Sequence, residues 1–172
     1  KFYIEANSPE VKSICERIAA LDPTLEGYSN AKNELKKQLP IITPHAFMFR
    51  GNGMRTNENA VPSGLGMLDV DGVSDPKSAY IYNILPFVKA NNIYFVAITP
   101  SGRGLRLIFE LKDGETIAEG QERIAKLCGI YQYDISTKDL ARASYMMPMK
   151  YILYINDDMF DENKLHAVPI VP

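Results

Sequence analysis

Two aspartates one residue apart close an apolar run, Met67-Leu68-Asp69-Val70-Asp71-Gly72. If the run is a strand, its period of two puts both carboxylates on one face and Leu68 and Val70 on the other. Paired hard oxygen donors at that spacing suit Mg²⁺ or Mn²⁺, and two negative charges so close are costly unless a cation or a cap relieves them. The plainer alternative is that Asp71 and Gly72 only turn the chain at the strand's end. Asp134, between Tyr133 and Ile135, is a third carboxylate in an apolar setting. It reads either as a further ligand or as the N-cap of the turn that follows. Pro100-Ser101-Gly102-Arg103-Gly104-Leu105-Arg106 joins a hydroxyl, two glycines and two arginines without an acid. Amides of such a turn can line an anion site and guanidinium groups can grip phosphate oxygens in pairs, so a triphosphate is a suitable guest. A hairpin turn with solvated arginines is the competing reading. Alternation sets Arg106 opposite Leu105 and Leu107, away from the core-facing side of its strand.

The elements that must carry these residues follow from spacing. Ser8 and Pro9 open a helix over 7–21, with Val11, Ile14, Cys15, Ile18 and Leu21 on one face. A second, peripheral helix is expected over 29–38 and a strand over 41–50, followed by a Gly and Asn-rich turn at 51–53 and a loop to about Ser63. After the 65–70 strand, Asp75 and Pro76 predict a helix to Ala90, shortened or kinked at Pro86. Strands over 93–99 and 105–111 are separated by about five residues, which requires an antiparallel hairpin. A helix over 115–128, stopped by Gly129, leads to strands at 131–135, 143–147 and 151–155, with a turn of helix at 136–141 and an acidic tail.

Composition bounds the rest. The chain has 172 residues, 46% hydrophobic and 23% charged, which fits one folded domain rather than a disordered tail. No run approaches the roughly 18 apolar residues of a membrane helix, so no membrane partner is expected. A net charge of −2 gives no overall attraction to a phosphate backbone, so any nucleic-acid surface must be local. Cys15 and Cys128 both fall on apolar helix stripes, as buried reduced thiols of a cytoplasmic protein would. The sequence opens at Lys1 with no basic-then-apolar leader, which suggests a single domain, residues 1–172, taken from a longer multi-domain protein. His45 and His166 are too isolated for a triad or metal site. Asp157, Asp158, Asp161 and Glu162 read as a solvated turn, and Met146, Met147 and Met149 as packing residues.

In their order along the chain, Leu68 to Asp71, Ser101 to Arg106, and Tyr133 to Asp134 resemble the three motifs of archaeo-eukaryotic primases and primase-polymerases. The likeness spans 65–147 and looks closest to the primase-like domains that open replication proteins of bacterial mobile elements ahead of a virulence-associated-protein-E-type helicase. It implies an α+β fold, with an antiparallel RRM-like core sheet, flanking helices and a small N-terminal α/β unit. It implies a nucleotidyltransferase that uses Mg²⁺ or Mn²⁺, a nucleoside triphosphate and a DNA or RNA template in DNA replication of a mobile element. A helicase domain in the same or a neighbouring chain would be its partner. By the same likeness Asp69, Asp71 and Asp134 would be catalytic metal ligands. Ser101, Gly102, Arg103, Gly104 and Arg106 would hold phosphates, helped by Arg142. The sequence departs from the family at Arg106, where the second motif usually has histidine; arginine can bind phosphate but cannot act as a neutral imidazole.

Two other readings compete. A catalytically degenerate nucleotide or nucleic-acid-binding module of the same fold could use Arg50 and Arg55 beside Phe47 and Phe49, and Tyr145 near Arg142. A haloacid-dehalogenase-type phosphatase could use Asp69 as nucleophile and Asp71 as acid and base, but it needs a parallel sheet and a helix after the Thr99 strand.

Overall fold

The computed structural model describes residues 1–161. Its centre is a four-stranded antiparallel sheet in the order β4(Leu65–Asp71), β6(Gly104–Glu110), β5(Ile93–Ile98), β8(Ile152–Ile155). The chain is therefore a mixed α+β protein built on antiparallel pairing. The expected hairpin is β5–β6, and the parallel sheet that a dehalogenase-type phosphatase needs does not occur among the described residues.

The two faces of the sheet are buried by different layers. Leu68, Val70, Val96, Leu105, Leu107 and Phe109 pack under α5(Ile117–Leu127), which contributes Ile124 and Ala125, and under Ile84 and Val88. Burial of a side chain such as Ile124 contributes about 1.5–3 kcal/mol relative to leaving it in water. α5 begins with a capping box, in which Thr116 and Glu119 satisfy each other's backbone amides. Leu65, Met67, Phe95, Ala97 and Ile108 line the opposite face and are covered by Met147, Met159, Phe2 and Ile42. Beyond them α1(Phe2–Ala6), α2(Pro9–Ala19) and α3(Tyr28–Lys36) close around Ile14, Cys15, Ile18, Leu35 and Met146.

Several expected elements differ. The 41–50 strand breaks at Pro44. β1(Ile41–Ile42) pairs with β7(Ser144–Tyr145), while β2(Ala46–Phe49) forms a hairpin with β3(Ala60–Pro62) inside the expected loop. The 75–90 helix is only α4(Pro76–Ala79), continued by a π-type turn over Tyr80–Ile84 and a 3-10 turn over Leu85–Phe87. Pro86 has no N–H with which to carry an α-helical ladder through that point. Residues 131–134 form no strand, and Ile135–Lys138 is a 3-10 turn. Met149 is half-exposed rather than packed, whereas Met146 and Met147 are buried as expected. Asp157 and Asp158 open a 3-10 turn over Asp157–Phe160; Glu162 and His166 lie outside the described residues.

Candidate functional site

The sequence folds so that its three chemical motifs meet at one end of the sheet. β4 ends with Asp69 directly opposite Arg106 of β6, and Asp71 directly opposite Gly104. Directly paired residues share a face, so both aspartates and Arg106 project to the same side. The turn between β5 and β6 sits on that end. Gly102 adopts φ +74, its N–H donates to the Thr99 carbonyl at 2.8 Å, and the Val73 N–H donates to the Arg103 carbonyl at 3.0 Å. A Cβ on Gly104 would lie 2.6 Å from the Val70 carbonyl oxygen, so only glycine permits so close an approach of this turn to β4. Ser101 is half-buried and Arg103 exposed, with Asp22 as a charged neighbour.

The third motif reaches the same place by a different route. β4 is an edge strand, and its open edge is satisfied from the side. The Asp134 N–H donates to the Asp69 carbonyl at 2.9 Å. Buried Gln121 of α5 donates through Nε2 to the Met67 carbonyl and to Thr137 Oγ1, each at 2.8 Å. The Thr137 hydroxyl in turn donates to the Asp134 carbonyl at 2.8 Å. Gln121 and Thr137 therefore hold Asp134 beside β4, a positioning role that an uncharged residue in a helix gives no pattern to reveal.

The carboxylates differ in what they touch. Asp69 accepts two hydrogen bonds from Arg106, from Nε and Nη2, both at 2.7 Å. Arg106 also donates from Nη1 to the Tyr145 carbonyl at 2.9 Å, and the paired side chains are only 6% and 15% exposed. This corrects the expectation that Arg106 points away from the core: its face of the sheet is covered by a second layer, and its guanidinium binds Asp69 rather than standing open to phosphate. Asp71 is exposed. Asp134 caps the 3-10 turn by accepting from the Ser136 N–H at 2.9 Å, and Arg142 Nη2 lies 3.5 Å from its other oxygen. Partial burial would raise its pKa, but the Ser136 hydrogen bonds and Arg142 prevail and hold the carboxyl below the usual aspartate value.

Two further basic residues belong to this neighbourhood. Lys36, the last residue of α3, is half-buried; burial, Lys32 and Arg106 push its pKa below the ordinary lysine value, against the pull of Asp71 and Asp69. Lys32 and Lys36 are like charges one helical turn apart, an unfavourable spacing that points to an acidic neighbour across from them. His45 is 1% exposed, with Nδ1 2.9 Å from the Asp139 carbonyl. A carbonyl only accepts, so Nδ1 carries the proton. Burial, the largest effect, lowers the ring's pKa, and the neutral ring has Nε2 as its lone-pair nitrogen. Nε2 has no hydrogen-bond partner among the described residues, and Asp69 and Arg142 are charged neighbours of the ring.

The fit to a divalent cation is one of chemistry rather than of assembled geometry. Asp71 and Asp134 offer hard oxygens, but Asp69 is already neutralised by Arg106. No three His, Cys, Asp or Glu side chains gather as a metal-holding group among the described residues.

A family model described as "BT4734-like, N-terminal domain" matches residues 34–148, about two thirds of the chain. The chain belongs to this family. The matched stretch holds Lys36, both β4 aspartates, the β5–β6 turn, Arg106, Asp134 and Arg142, while α1 and α2 lie before it. No curated protein and no solved structure matches the chain.

Proposed function

We propose that this domain is a primase-polymerase-type nucleotidyltransferase acting on a nucleoside triphosphate and a nucleic-acid strand in replication of a mobile element. The observation that carries the reading is the convergence of three separate motifs at one sheet end: the Asp69–Asp71 strand, the Gly-rich turn packed upon it, and Asp134 bonded through its amide to Asp69. Asp71 and Asp134 would hold Mg²⁺ or Mn²⁺, with Asp69 joining only after Arg106 lets go. The cation would supply charge stabilisation for phosphoryl transfer. Arg103 and Lys36 bring positive charge to the side on which a triphosphate would lie, while Arg106 sets the position of Asp69. The family's description as an N-terminal domain suits a partner region such as a helicase in the same chain. Two buried cysteines, their thiols pushed up to about 11 by burial, suit a reducing cytoplasm, and no helix among the described residues is long and apolar enough to cross a membrane.

The buried Asp69–Arg106 pair specifically favours a second reading, a nucleotide or nucleic-acid-binding module in which arginine has taken a cation's place. Extension of a labelled primer on a template, with Mn²⁺ and either dNTPs or NTPs, separates the two. Synthesis by the wild type that is lost in Asp71→Asn supports the enzyme; strand binding without synthesis supports the module.

A further inference from the structure

Beside the acidic cluster lies a cleft of about 340 Å³ that none of the three motifs forms, lined by Arg55, Thr56, Asn57, Asp139, Ala141 and Arg142. Its two walls are tied together. Arg55 Nη1 donates to the Ala141 carbonyl at 2.6 Å, and the Ala141 N–H donates to Asn57 Oδ1 at 2.9 Å. With Oδ1 engaged, the Asn57 amide nitrogen is the group with donors to offer, whereas the Thr56 hydroxyl already bonds the Glu58 carboxylate. Each guanidinium has five N–H donors, of which one in Arg55 is taken by Ala141 and one in Arg142 leans on Asp134. Asp139 is the acidic residue of the lining; its carbonyl is occupied by His45 and by the Arg142 N–H. The lining therefore sets two guanidinium groups against one carboxylate, and a cleft so supplied with N–H donors suits an anion with several oxygens.

We propose that this cleft is a phosphate-binding subsite, in which Arg55 and Arg142 grip phosphate groups and the Asn57 amide completes the donor set. The phosphate could belong to a nucleic-acid backbone or to a nucleotide. The proposal deepens the nucleotidyltransferase reading, because Arg142 links the cleft to Asp134. It does not need the divalent cation, so either can fail alone.

Two probes test it on the whole domain without divalent metal: inorganic pyrophosphate by calorimetry, and a short fluorescein-labelled oligothymidylate by anisotropy across a salt series. Arg55→Gln and Arg142→Gln are each expected to weaken binding about tenfold, the effect of losing one charge-assisted contact. Each should also flatten the salt dependence of strand binding by about one charge. Arg55→Lys, which keeps the charge but loses the fork, should fall between. Melting temperatures identify any variant that has lost its fold, and the remaining variants then decide. Loss with pyrophosphate alone assigns the site to a free nucleotide, and loss with the strand alone assigns it to the backbone. Failure of the wild type to bind either probe, or unchanged affinity in folded Arg142→Gln, would overturn the proposal.

Discussion

Removing one member of the Asp69–Arg106 pair leaves the other charge in a place with little water, so the single and double substitutions should differ in kind. Asp69→Ala is expected to cost about 3–5 kcal/mol, read as a drop in the urea midpoint, whereas joint replacement by Asp69→Leu and Arg106→Met should cost far less. Equal losses in both would mean that the pair contributes only packing. His45 gives a pH dependence with a definite sign. Its pKa in the fold lies below the ordinary 6.5 because the ring is buried, so the unfolded chain binds more protons below that value. The contribution is fully present above pH 6.5 and is lost as pH falls toward the depressed folded value. Melting temperature should therefore drop between pH 7 and pH 5.5, and drop less in His45→Asn; a parallel drop in both would remove His45 as the cause. At this scale the sequence showed which face Arg106 takes but not what covers it. A period of two reports sides of a strand, and the covering layer comes from residues far away, Phe2, Ile42 and Met147.

Elements fix the site through contacts that can be broken one at a time. Gly104→Ala forces a methyl group against the Val70 carbonyl, which is backbone and cannot retreat easily, and against the Thr99 side chain. A loss of about 1–3 kcal/mol is expected by chemical denaturation. Gln121→Leu leaves the Met67 carbonyl and Thr137 without their donor and should cost a similar amount, about 1–3 kcal/mol. It should also free Asp134, read as a change in amide exchange over 131–138; exchange unchanged there would show that Gln121 does not position the third motif. The helix at α2, α5, the β4 strand and the β5–β6 hairpin were legible because each has a strong local signal: Ser8-Pro9, an apolar stripe stopped by Gly129, a short apolar run, or clean alternation. The 131–135 segment was not. Its alternating Tyr133 and Ile135 mimic a strand, while in the fold it makes one amide bond to the edge of β4 and turns away under the Asp134 cap.

Among the described residues, the antiparallel sheet is a platform buried on both sides, and the acidic site lies at the end where β4 stops and β6 begins. The α+β class followed from the hairpin and the helical stripes, but the crowding of Lys36 and His45 around the aspartates depends on how α3 and the β1–β2 segment fold back, which local patterns do not encode. If the three motifs form one cation-dependent nucleotide site, nucleotide binding must depend on the metal. Calorimetric titration of ATP or dATP into the domain, with and without Mn²⁺, measures that dependence. Asp71→Asn is the control, since Asp71 is exposed and stands outside the buried Asp69–Arg106 pair. Nucleotide binding by the wild type is expected to require Mn²⁺ and to be lost in Asp71→Asn. Binding that is the same with and without the metal, or unchanged in folded Asp71→Asn, would contradict that expectation.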